Sequence, residues 1–123
     1  MLIVTLALAL ASLAVQAPAT PLPPAATLKA ALGGICSADF TVKDTAGAPV
    51  YAAMIHVKVR YGTFGVKRAD LEIGTGSDGK ARIEGLPEKA RPLMFDIKKN
   101  GLEGFAAQNV EEKCHATFEV TIK

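Results

Sequence analysis

The chain has 123 residues, 14 of them Lys or Arg and 12 Asp or Glu, for a net charge of +2. That is room for one domain, and a charge too small and too evenly spread along the chain to point to nucleic acid or an acidic membrane as a partner. Trp is absent and Phe and Tyr are few, so a core built from this chain is small.

In chain order, the opening stretch MLIVTLALALASLAVQA is apolar apart from Thr5, Ser12 and Gln16, and it carries no charge. The run is short for a membrane span, which takes about 20 residues. An A-x-A step follows at Ala17-Pro18-Ala19, so residues 1–19 read as a secretory signal peptide. No Lys or Arg precedes the run, which leaves an uncleaved anchor as the alternative. Export places the protein in a secreted or periplasmic setting, with no membrane contact once the signal is removed. Residues 20–35 follow as a Pro/Ala-rich spacer: PATPLPPAATLKAALGGI, residues 18–35, holds four of the seven prolines, and such a segment is stiff and extended. Within it, TLKAALGG suits one or two helical turns, with Thr27 as cap and Gly33 as stop.

From Cys36 onward the pattern has period two, the mark of half-buried strands. In CSADFTVKD, Cys36, Ala38, Phe40 and Val42 share the inner face and Ser37, Asp39, Thr41 and Lys43 the outer. TAGAP makes a turn. In VYAAMIHVKVR, Tyr51, Ala53, Ile55, Val57 and Val59 point inward and Met54, His56, Lys58 and Arg60 outward. A looser stretch, YGTFGVKRA, precedes DLEIG, with Leu71 and Ile73 inward. KARIEGL places Ala81 and Ile83 inward, and PLMFDIKK places Leu93, Phe95 and Ile97 there. EGFAAQ is a short strand. CHATFEVTIK ends the pattern with Cys114, Ala116, Phe118, Val120 and Ile122 on one face. Seven strands without an amphipathic helix predict an all-β, seven-stranded antiparallel Greek-key sandwich over residues 36–123. Cys36 and Cys114 both fall on the core face. In an exported chain they read as one disulfide rather than two buried thiols.

The stretch GTGSDGK, residues 74–80, fits G-x-G-x-x-G and poses the question of a phosphate cradle. That cradle needs a helix after the last glycine, whose amino end meets the phosphate. KARIEGLP instead alternates and stops at Gly85 and Pro87. The Walker spacing also fails, as no Ser or Thr follows Lys80. Asp78-Gly79 reads as a hairpin turn pair.

These residues carry a family resemblance. FTVKDTAGAPVYAAMIHVKV followed by GTGSDGKARIEGLP resembles the carboxypeptidase regulatory-like domain, a transthyretin-like (prealbumin-like) sandwich. The matching positions are Val42, Asp44, Gly47, Pro49, Val50 and Ala53, then Asp78 and Gly79, then Gly85, Leu86 and Pro87. The likeness covers residues 38–98. It departs at Ser77-Asp78-Gly79, where the family has a longer turn, and in the insert at 60–70. It implies a non-catalytic module that accompanies other proteins and supplies contacts. The enzyme group within that superfold, the hydroxyisourate hydrolases, ends in a Tyr-Arg-Gly-Ser type sequence; this chain ends TFEVTIK. The isopeptide-forming sandwiches need an inward Lys on the first strand, and Lys43 points outward.

No other arrangement points to catalysis, a cofactor or a metal. His56 and His115 lie on outward faces. Cys114 and His115 are adjacent on a strand, so they face opposite sides and cannot share an ion. Ser37 and Ser77 sit on a strand surface and in a turn without a nucleophile elbow. One loop has the composition of a contact surface: RYGTFGVKR brings Arg60, Tyr61, Phe64, Lys67 and Arg68 together around glycines, and aromatics and arginine favour interfaces. The alternative is that Tyr61 and Phe64 cap one end of the sandwich. The expectation is a non-enzymatic module that binds a protein or glycan, or else a structural subunit that self-associates through sheet edges or loop 60–68.

Overall fold

The computed structural model describes residues 26–123; the signal peptide assigned to 1–19 and the spacer's first part, 20–25, lie outside the described residues. Eight strands form two four-stranded sheets: β1 (Ala26–Lys29), β2 (Cys36–Lys43), β3 (Met54–Tyr61), β4 (Lys67–Gly74), β5 (Lys80–Leu86), β6 (Leu93–Lys99), β7 (Leu102–Gln108) and β8 (His115–Thr121). One sheet has the order β1-β5-β2-β8 and the other β4-β3-β6-β7. A β-sandwich is therefore present, with eight strands in place of the expected seven.

The eighth is β1, which lies inside the stretch expected to be a spacer with a helical turn. Leu28 and Leu32 are four apart, which suits a helix, while Ala26, Leu28 and Ala30 alternate as in a strand. The segment is too short for its periodicity to decide. Tertiary pairing decides it: β1 runs parallel along β5, Leu28 beside Ile83, and Ala26, Leu28, Ala30 and Leu32 pack on the core. The expectation of antiparallel pairing holds throughout the second sheet and for β2 with β5. It fails for β1–β5 and β2–β8, which are parallel; both join strands distant in sequence, where no hairpin imposes direction.

The inner faces carry the residues that the alternation assigns: Phe40, Val42, Ile55, Val57, Val59, Ile83, Leu93, Phe95, Ile97 and Ile122 are fully buried. Tyr51 is a correction. It is exposed, because Ala52 takes a left-handed conformation (φ 56°) and the strand begins only at Met54. Ser37 is another, being 2 % exposed rather than on the surface. The pairing of β2 with β5 shifts between Cys36 and Ala38, so strict alternation does not apply there.

Residues 74–80 make a turn followed by a strand, with no helix after Gly79. The Gly79 amide donates to the Gly76 carbonyl at 3.0 Å, and the Asp78 carboxylate accepts the Lys80 amide at 3.0 Å. The turn does not link a hairpin, however. It carries the chain from one sheet to the other, since β4 and β5 do not pair. Gly79 has φ 73°, and a Cβ there would lie 2.5 Å from the Val42 carbonyl oxygen. Gly79→Ala is expected to cost about 2 kcal/mol, from left-handed strain plus the forced separation of β2, read as a lower urea midpoint at unchanged m value.

Cys36 and Cys114 are joined in a disulfide. It ties the start of β2 to the residue before β8, and a disulfide suits an oxidising compartment. Among the described residues no helix is long and apolar enough to cross a membrane.

Candidate functional site

The turn between β3 and β4 is built to present side chains to solvent. After Tyr61 the chain passes Gly62 (φ 79°) into a single 3₁₀ turn over Thr63–Gly65, where Phe64 is held left-handed at φ 59°, ψ 17°. The Gly65 amide bonds the Gly62 carbonyl at 3.1 Å. A left-handed non-glycine residue costs roughly 1–2 kcal/mol. Here that conformation aims a phenyl ring outward: Phe64 is 94 % exposed and its neighbour Val66 75 %.

Of the five sequence-assigned residues, Tyr61 is the one that caps the core, half-buried and packed on it. Lys67 places its ammonium 6.0 Å from the Tyr61 ring centroid, within cation–π range. Phe64 caps nothing. Arg60 and Arg68 stand directly opposite each other on β3 and β4, and like charges opposed on one face destabilise a sheet.

The fold adds three residues to this end that the sequence analysis left out of the site. Tyr61 bridges to Ala90, and the Arg60 carbonyl accepts the Arg91 amide at 3.0 Å. That brings Lys89 and Arg91, from the β5–β6 connection, against the turn. The third, Lys58, lies two residues before Arg60 on the same face. Two depressions result. One of about 400 Å³ is lined by Lys58, Arg60, Arg68 and Asp70 among others. One of about 590 Å³ is lined by Arg60, Phe64, Lys89, Arg91 and Glu111 with backbone around them. Arg60 belongs to both.

Charge that looks evenly spread along the chain is therefore gathered in space. None of Lys58, Arg60, Lys67, Arg68, Lys89 and Arg91 takes part in the ion pairs among the described residues, which are Lys43–Glu119, His56–Asp70, Arg82–Asp39, Arg82–Glu84 and Lys98–Glu103. The Arg60 Nε is buried with no hydrogen-bond partner. Arg82 shows the contrast: hydrogen bonds to Glu84 and then Asp39 raise its pKa above the ordinary arginine value.

The histidines sit elsewhere. His56 bonds Asp70 on the outer face of the second sheet. His115 Nδ1 lies 2.8 Å from Ser37 Oγ, a Ser–His contact that strand parity did not foresee. Ser37 is buried, so its hydroxyl is not offered to a substrate. Among the described residues no group of three His, Cys, Asp or Glu is placed to hold a metal.

No protein-family model matches the chain, and no curated protein is significantly similar. Among solved structures it is similar to 3-chlorocatechol 1,2-dioxygenase from Rhodococcus opacus 1CP, at 14 % identity and a TM-score of 0.48, over 85 % of this chain and 67 % of that one. A likeness of that size bears on neither family nor chemistry.

Proposed function

We propose that this protein is an exported, non-enzymatic β-sandwich module that holds a protein or glycan partner at the β3–β4 end. The observation that carries the reading is Phe64: a large apolar side chain kept in a strained backbone and given almost wholly to water. Burial does not repay that strain in the free protein, so a bound partner is what the arrangement serves. The disulfide supports export, and the resemblance to carboxypeptidase regulatory-like domains supports an accessory role.

Phe64→Gly tests the reading without harming the fold. Glycine accepts φ 59° freely, so stability is expected to stay level or rise by up to about 1 kcal/mol. Retention of glycans on an array, or of a partner in a pull-down, should fall severalfold. Unchanged retention ends the proposal. Tyr61→Ala is the poorer variant, because Tyr61 also packs on the core.

A second reading, self-association, has its own observation. Met94 and Phe105 are exposed on the outer face of β6 and β7. Light scattering at low micromolar concentration separates the two, since a stable oligomer lost in Phe105→Ser favours this second reading.

A further inference from the structure

The geometry points to an acidic polysaccharide, one bearing carboxylates along its chain, as the ligand of the basic end; this deepens the binding reading above and rests on it. Six cationic side chains converge there, none of them in an ion pair among the described residues, although Asp70 stands opposite Lys58 on β4. Asp70 and Glu111 are the carboxylates lining the two depressions, and Asp70 is engaged by His56. Opposed arginines and a buried, unpartnered guanidinium nitrogen are unfavourable arrangements in the free protein. An anion seated between Arg60 and Arg68 relieves the first of these by separating the like charges. Arg60, Arg68 and Arg91 all line the depressions, and the planar guanidinium fork matches a carboxylate with two parallel hydrogen bonds.

Several features favour a polymer over a single small acid. Lys58 and Arg60 are separated by roughly 6.6 Å along β3, and the basic lining continues past Arg60 into the second depression to reach Lys89 and Arg91. Repeated anions along one chain satisfy such a track better than one anion does. Phe64 borders the second depression, where its ring face is free to lie on a sugar. An anionic membrane is the rival ligand for a turn that exposes Phe64 and Val66 among basic residues, and the vesicle arm below separates the two.

The test uses the full domain with a size-defined oligogalacturonate, neutral dextran, a heparin fragment and phosphatidylglycerol vesicles. Oligogalacturonate is expected to bind and dextran not, with affinity falling about tenfold or more between about 50 and about 200 mM salt as counterions are released. Arg68→Glu is the decisive variant. It replaces an opposed like pair by an opposite pair, so its melting temperature should hold or rise while oligogalacturonate affinity drops at least about tenfold. Equal binding to dextran, or undiminished binding by Arg68→Glu, overturns the inference. So does binding confined to heparin, which assigns sulfate, or confined to vesicles, which assigns a membrane. If Phe64→Gly abolishes partner retention while Arg68→Glu leaves it intact, the surface survives and the acidic ligand does not. If neither variant matters, the surface itself is wrong.

Discussion

Removing the Cys36–Cys114 bridge is expected to cost about 4.5 kcal/mol, a large share of what a domain of this size has. The loop it closes spans 78 residues, and the loop-entropy account makes the gain grow with loop length because the cross-link restricts the unfolded chain. Its position adds to the case. The bridge joins the ends of the two parallel neighbours β2 and β8, which are distant in sequence and share no hairpin. Unlinked, that pairing must form across most of the domain. The check is thermal unfolding of the double variant Cys36→Ala/Cys114→Ala beside the oxidised protein, which leaves no stray thiol. A fall in melting temperature of roughly 20 °C is expected at the usual conversion for a domain near 100 residues. A fall of only a few degrees means that the unfolded chain is already compact, or that contacts at the β2–β8 end do the work. Gln108 is the chief rival there: its buried side-chain amide faces the carbonyls of Ser37, Lys113 and Cys114 at 3.1, 2.9 and 3.2 Å.

Much of the sandwich was legible because alternation is a strong signal wherever a strand has one wet face. Phe40, Val57, Ile83, Phe95 and Val120 could each be assigned from their neighbours alone, and two cysteines of like parity pointed to a bridge. Legibility failed where position depends on distant chain. β1 is a strand only because β5 offers it an open edge. Ser37 is buried because β8 brings His115 over its hydroxyl. Asp44 was read as part of a family motif, and the structure supplies its physical role: its carboxylate accepts the amides of Ala46 and Ala48 at 2.9 and 3.0 Å, fixing the turn out of β2. The β3–β4 end was half legible. Residues 60–68 stood out by composition, but Lys89 and Arg91 join them through a bridge between Tyr61 and Ala90, a contact that no local pattern encodes. The same bridge turns an unremarkable net charge into a basic face.

Phe40→Ala is the second large expected effect, about 4 kcal/mol, within the range for deleting a buried ring. Phe40 is 1 % exposed and stands at the junction of the two sheets. Its ring meets Phe95 of the opposite sheet edge-on at 4.8 Å and stacks on Phe118 of its own sheet at 5.3 Å. The loss therefore combines transfer to water, a cavity between sheets and two ring contacts worth roughly 0.5–1.5 kcal/mol each. Phe118→Ala should cost clearly less, about 2 kcal/mol, because Phe118 is only half-buried and solvent already reaches it. Urea unfolding of both variants checks the order, and a double-mutant cycle of Phe40 with Phe95 should return a coupling of about 1 kcal/mol. A Phe40 cost no larger than that of Phe118 would place the main hold between the sheets elsewhere. The alternatives are the hydrogen bonds of Thr75 Oγ1 to Val50 and Ala53, at 2.5 and 2.9 Å, and the pairing of Glu103 with Lys123, at 3.1 and 3.3 Å. Glu103 and Lys123 tie β7 to the end of β8 across the sheets, and Thr75 ties the end of β4 to the β2–β3 connection, whose Val50 amide bonds the Val42 carbonyl of β2. Aromatic packing at the centre and polar ties at the rim thus make opposite predictions for one pair of substitutions.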